Sequence, residues 1–67
     1  MKKIILILFI LPSLIFAQQE KAFEIYGQGV QLFYAADYSA AIMKFNEAIE
    51  RKSDFQFAYY NRALASL

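Results

Sequence analysis

Three hydroxyls, Ser39, Ser53 and Ser66, have the chemistry of a nucleophile, and each would need a base within reach to take its proton. The chain contains no His and no Cys. Its acids are spread along segments of helical periodicity, so neither an imidazole nor a pair of carboxylates in a pocket is on hand for proton transfer. The same absence removes the nitrogen and sulfur ligands of a metal centre. Gly27-Gln28-Gly29 is no nucleotide-binding loop, because no strand precedes it and the third glycine is missing. No enzymatic activity, metal or other cofactor is expected. What remains is a set of aromatic side chains and the elements that must position them.

Those elements are organised around Asp37–Glu50. The apolar residues Tyr38, Ala41, Ile42, Phe45, Ala48 and Ile49 recur at steps of three and four, which places them on one side of a helix turning once per ~3.6 residues. The alanines each stand one turn from a large residue and let a second helix approach closely. Upstream, Gln18 to about Ala35 carries two stripes of helical spacing. Ala22, Ile25, Gly29 and Leu32 form one; Phe23, Tyr26, Val30, Phe33 and Tyr34 form the other. A glycine inside a helix is unfavourable by about 1 kcal/mol relative to Ala. A helix holding both Gly27 and Gly29 must therefore gain from close backbone contact, and Gly29 shares its stripe with Ile25 and Leu32. Ala35-Ala36-Asp37 reads as a short turn with Asp37 capping the next helix, so the two helices are expected to be antiparallel neighbours. Glu47 and Arg51 stand one turn apart in the favourable order. The second helix should stop near Lys52. Ser53-Asp54-Phe55-Gln56 has the form of a capping box, with Ser53 as cap and Gln56 reaching back. A third helix should then run to Leu67.

The first residues differ in kind. Lys2 and Lys3 precede unbroken hydrocarbon from Ile4 to Leu11, then Pro12 and Ser13, then Leu14-Ile15-Phe16-Ala17. This is the layout of a secretory signal peptide, with Pro12 ending its helix and cleavage after Ala17. The form resembles bacterial Sec signals and implies a periplasmic or extracellular location. An uncleaved anchor is the competing reading, although a spanning helix needs ~20 apolar residues. A core helix would need the polar face that is absent here. The missing Cys fits any redox compartment and removes lipoprotein-type attachment. The net charge is +1, carried by the leader's two lysines. A nearly neutral chain has no field to draw it onto nucleic acid. Lys44, Arg51, Lys52 and Arg62 are interleaved with acids and read as a solvated face.

A shift of thirty-four positions lands the first helix on the third. Phe23 falls on Phe57, Tyr26 on Tyr60, Val30 on Leu64, Phe33 on Leu67, Ile25 on Tyr59 and Gly29 on Ala63. Helix, turn, helix and restart at that period resembles the tetratricopeptide repeat, ~34 residues long. Ala41 and Phe45 with Ala48 one turn later match the second-helix signature. Tyr38 ahead of Ala41 is typical, and Gly29 stands where the first-helix glycine belongs. Ile25, Gln28, Leu32, Ala36 and Ser53 depart from the pattern. The resemblance implies an all-α fold of antiparallel helix-turn-helix repeats, a short α-solenoid. Residues 1–17 would be the signal peptide, 18–21 a lead-in, 22–55 one full repeat and 56–67 the first helix of a second.

The family's groove-facing positions fall on Phe23, Tyr26, Val30, Phe33 and Tyr34 in the first repeat. In the second they fall on Phe57, Tyr60, Asn61, Leu64 and Leu67. The resemblance implies a non-enzymatic scaffold whose aromatic-lined groove holds a protein or peptide, with Asn61 pairing the peptide backbone. For Phe23, Val30 and Leu64, packing between repeats competes with ligand contact. Tyr26, Tyr34 and Tyr60 suit a groove better, since a phenol wants a polar neighbour. Asn61 could instead bond locally. Two alternatives stay open: a membrane-anchored helical hairpin with no groove, and an assembly element that self-associates through Tyr59, Ala63 and Leu67 at the open end. Since ~3 repeats are normally needed to bury their faces, truncation from a longer array is expected.

Overall fold

A computed structural model describes the backbone from Lys2 and the side chains from Leu14. Three helices follow one another: α1 (Lys2–Tyr34), α2 (Tyr38–Arg51) and α3 (Gln56–Ala65), with no strand among the described residues. The protein is all-α, as the periodicity predicts.

The turn between α1 and α2 forms as a consequence of three consecutive backbone bonds. Ala36 N–H reaches the Phe33 carbonyl at 3.0 Å and Asp37 N–H reaches Leu32 at 2.9 Å, the crossed pair that closes a helix end. The crossing requires a left-handed residue, and Ala36 supplies it at φ 62°. Asp37 then caps α2, its Oδ1 accepting from the Ala40 N–H at 3.4 Å. So reversal and restart are accomplished within three residues, and α1 and α2 pack as neighbours.

The packing between them follows the small-residue logic. Ala22, Ala41 and Ala48 are fully buried, and Phe45 fills the space between α1 and α2. A Cβ on Gly29 would lie 2.6 Å from Phe45 Cε1 and 3.2 Å from Lys44 Cβ, whereas one on Gly27 would meet nothing. The ring of Phe45 is seated directly on the bare backbone of Gly29, the close contact expected from the sequence.

Two clusters make up the core. One joins Ala22, Ile25, Ala48, Phe55 and Ala58; the other joins Ala41, Phe45 and Ala65. Tyr26 packs against both. Because α2 supplies residues to both clusters and each cluster draws on α1 and α3, the helices lie in two layers. α1 and α3 form one layer and α2 covers its back.

Three expectations need correction. Helix α1 runs on from Lys2 through Pro12, so no helix end separates leader from first helix. The rest of the signal-peptide reading falls mostly on residues 1–13, outside the described side chains. Second, Ser53 does not cap α3. The N-cap position is Phe55 and no side chain bonds there. Burying the Phe55 ring, 2% exposed, sets the start of the helix and leaves Ser53 in the preceding turn. Third, α3 ends at Ala65, short of Leu67. The Ser66 hydroxyl bonds back to the Arg62 carbonyl at 2.8 Å and competes for the last helical acceptors.

Candidate functional site

The candidate aromatic positions of α1 and α3 lie along the seam between these two helices, where Tyr26 and Phe33 also meet Phe45 and Tyr38 of α2. Phe23 meets Phe55 at the start of α3, with ring centroids 4.9 Å apart. Tyr26 meets Asn61 further along, and Phe33 lines a hollow with Leu64 and Leu67 at the end. The order of these contacts means that α1 and α3 lie side by side and run in the same sense.

Tyr26 sits at the middle of this face. Its ring lies 4.9 Å from Phe55 and 5.7 Å from Phe45, between the two core clusters. Its hydroxyl accepts a 2.8 Å hydrogen bond from Asn61 Nδ2. The same Nδ2 donates to the Phe57 carbonyl at 3.0 Å, one turn back on α3. Both amide hydrogens of Asn61 are thus used within the protein. Asn61 Oδ1 remains as its acceptor and the Tyr26 O–H as a donor on the same surface. Of the candidate groove residues, Tyr26 and Asn61 are joined by a direct hydrogen bond, and they act first as the tie between α1 and α3.

The tie divides the face into two hollows. The first, about 240 Å³, is lined by Phe33, Tyr38, Leu64, Ala65 and Leu67. The second, about 190 Å³, is lined by Phe23, Phe55, Phe57, Lys52, Asp54 and Gln56. Both are below the ~300 Å³ at which small-molecule sites begin, so each suits a single large side chain. Val30 is half-buried behind the first and belongs to the core around Phe45. Tyr34 and Tyr60 stand free at the edges, 83% and 66% exposed. Tyr34 meets the Phe33 ring edge-on, with centroids 5.9 Å apart.

Charges gather at the rim. Lys52 Nζ lies 2.8 Å from Asp54 Oδ1 and 6.0 Å from the Phe55 ring. The Lys52 ammonium beside Asp54 donates to its carboxylate and holds it below its ordinary pKa of 3.8. On the other side of α3, Arg62 donates to Asn46 Oδ1 on α2 at 2.8 Å and stacks over the Tyr59 ring. The Tyr59 hydroxyl in turn donates to the Ser53 carbonyl at 2.9 Å. Sequence reasoning missed this bracket of Arg62, Asn46, Tyr59 and Ser53. Nothing in the spacing of four polar residues on two helices and the turn between them announces it. Among the described residues, no group of acids is arranged to hold a metal. No helix of that part of the chain is long and apolar enough to cross a membrane.

The residues named for self-association also have definite places. Ile25 is buried against α2 and Gly29 against Phe45, while their thirty-four-residue counterparts on α3, Tyr59 and Ala63, are exposed. Leu67 is fully exposed.

No protein-family model matches the chain, and searches of curated proteins and of solved structures find no match either.

Proposed function

We propose that this chain is an exported, non-enzymatic scaffold of the tetratricopeptide type that binds a protein or peptide segment across the α1/α3 face. The reading is carried by one observation: residues recurring at the thirty-four-residue period, Phe23 and Phe57 among them, fall on one open face formed by two helices of the same sense. Its support is physical as well as positional. Phe23, Phe57, Tyr34 and Tyr60 keep large apolar areas in water on that face, and aromatic side chains exposed in a group are characteristic of protein-binding surfaces. Rings carry much contact area for few rotatable bonds, so they lose little entropy when a partner covers them. The two hollows would take side chains of the partner. Its backbone would find Asn61 Oδ1 and the Tyr26 hydroxyl between them. The leader would direct the chain out of the cytoplasm and be cut after Ala17.

Full-length chains with Tyr34→Ala, Phe57→Ala and Tyr60→Ala, alone and combined, test this reading. They should keep the wild-type helical content and melting midpoint and lose whatever protein co-purifies from the bacterial envelope. Retention of the same partner by the triple variant would remove the groove from the account. Tyr26→Ala is the wrong probe, because its ring is part of both core clusters.

A second reading draws on the exposure of Tyr59 and Ala63 where Ile25 and Gly29 are buried. On that reading the chain docks another helix there and serves as an assembly element. Tyr59→Ala would then alter the sedimentation of the chain, while the Tyr34, Phe57 and Tyr60 variants would not.

A further inference from the structure

We infer that the exported chain carries a pyroglutamate at residue 18. The inference rests on the export reading above and concerns the terminus that cleavage after Ala17 would create. The described residues ahead of the core form an outlying part of α1. Leu14 to Lys21 are all exposed and the first buried residue is Ala22. Among the described residues, cutting there removes nothing from the packed bundle, and it leaves Gln18 as the new first residue.

A glutamine at that position holds its own electrophile. The α-amino nitrogen of Gln18 attacks Cδ of its side-chain amide, and the new bond closes a five-membered lactam. The Cδ–Nε2 bond breaks, and ammonia leaves with the proton released by the amine. No electrons change hands and no co-reactant is required. Among the described residues nothing restrains that amide. Neither Gln18 nor Gln19 makes a side-chain hydrogen bond to them, and the nearest side-chain pair, Lys21 with Glu24 at 3.4 Å, does not involve either glutamine. The first turn of a helix frays, which frees the terminal residue to adopt the ring-closing geometry. The lactam also replaces an ammonium, the group that a helix start tolerates least, by a neutral ring. Gln19 cannot react in the same way while its nitrogen is held in a peptide bond.

The test is to express the full chain with its leader in a bacterial host. The product is recovered from outside the inner membrane and its N-terminal peptide read by tandem mass spectrometry. The expected peptide begins at residue 18 and is lighter by one ammonia than the free glutamine form. A Gln18→Ala chain begins at the same position with no such loss. A wild-type peptide that begins at residue 18 but retains its ammonia after prolonged incubation at neutral pH overturns the lactam and leaves the export reading standing. A peptide beginning at Met1 overturns both, and one beginning at any other residue overturns the cut after Ala17 and the lactam with it.

Discussion

The Tyr26 hydroxyl on α1 and the Asn61 amide on α3, thirty-five residues apart, are joined by a 2.8 Å hydrogen bond that fixes the two helices at the middle of their shared face. Because the Tyr26 ring also packs against both core clusters, this bond links the surface to the interior. Tyr26→Phe should keep the packing and lose the bond, destabilising the chain by about 0.5–1.5 kcal/mol. Asn61→Ala should lose a similar amount. In a double-mutant cycle the two changes should fall short of additive, since each removes the same bond. Urea unfolding of the four proteins gives the coupling. Full additivity would mean that the bond does not form in solution.

The two glycines should respond with opposite signs. At Gly27 a methyl group meets open space, and Gly27→Ala should stabilise α1 by about 1 kcal/mol through propensity alone. At Gly29 the methyl would overlap a fully buried ring that has nowhere to move. Gly29→Ala should therefore destabilise by about 1–2 kcal/mol, as overpacking outweighs the same propensity gain. Thermal melts followed by circular dichroism should move up for the first and down for the second.

Ala36 should be improvable. Its left-handed backbone costs an L-residue roughly 1–2 kcal/mol that glycine does not incur, partly offset by glycine's freedom in the unfolded chain. Ala36→Gly should raise stability by about 0.5–1 kcal/mol. A fall in the melting temperature would mean that the crossed bonds from Ala36 and Asp37 are not the closing geometry of α1.

The caps of α2 and α3 should separate cleanly. Asp37→Ala removes a side chain that accepts from Ala40 and should cost about 0.5–1 kcal/mol, the lower part of the usual range because the bond is long. Ser53→Ala removes no cap and should be close to neutral. A large loss at Ser53 would restore the capping box that the structure replaces with Phe55.

Acid should weaken the Lys52–Asp54 pair in a defined window. With its folded pKa below 3.8, Asp54 contributes stability above that value and loses it as the pH falls through the folded value. The contribution is small, because the carboxylate is open to solvent. The wild type should exceed Asp54→Asn slightly at pH 6. The gap should close as the pH drops below the ordinary carboxylate range, when both are titrated and melted in parallel.

What the sequence makes legible is the contact chemistry that repeats. Ala41, Phe45 and Ala48 at helical intervals require a partner with room, and on the facing stripe Gly29 receives the Phe45 ring while Ala22 clusters with Ala48. Asp37 is readable as a cap because nothing else in the turn could fill that role. The start of α3 is not readable in the same way. Ser53 and Gln56 satisfy a local pattern, but burial of Phe55 against α1 is a tertiary term that no local pattern contains. Tyr26 and Asn61 are legible as partners for something. Their choice of each other depends on the distance between two helices, which spacing along the chain does not encode.

The central claim is that the α1/α3 face, and not the back of α2, meets the partner. A photoreactive phenylalanine analogue can be placed in the full chain at Tyr60 on that face, or at Met43, which is 71% exposed on α2. Irradiation in cells should give a discrete protein adduct from position 60 and none from position 43. Adducts of the same size from both positions, or from position 43 alone, would contradict the account.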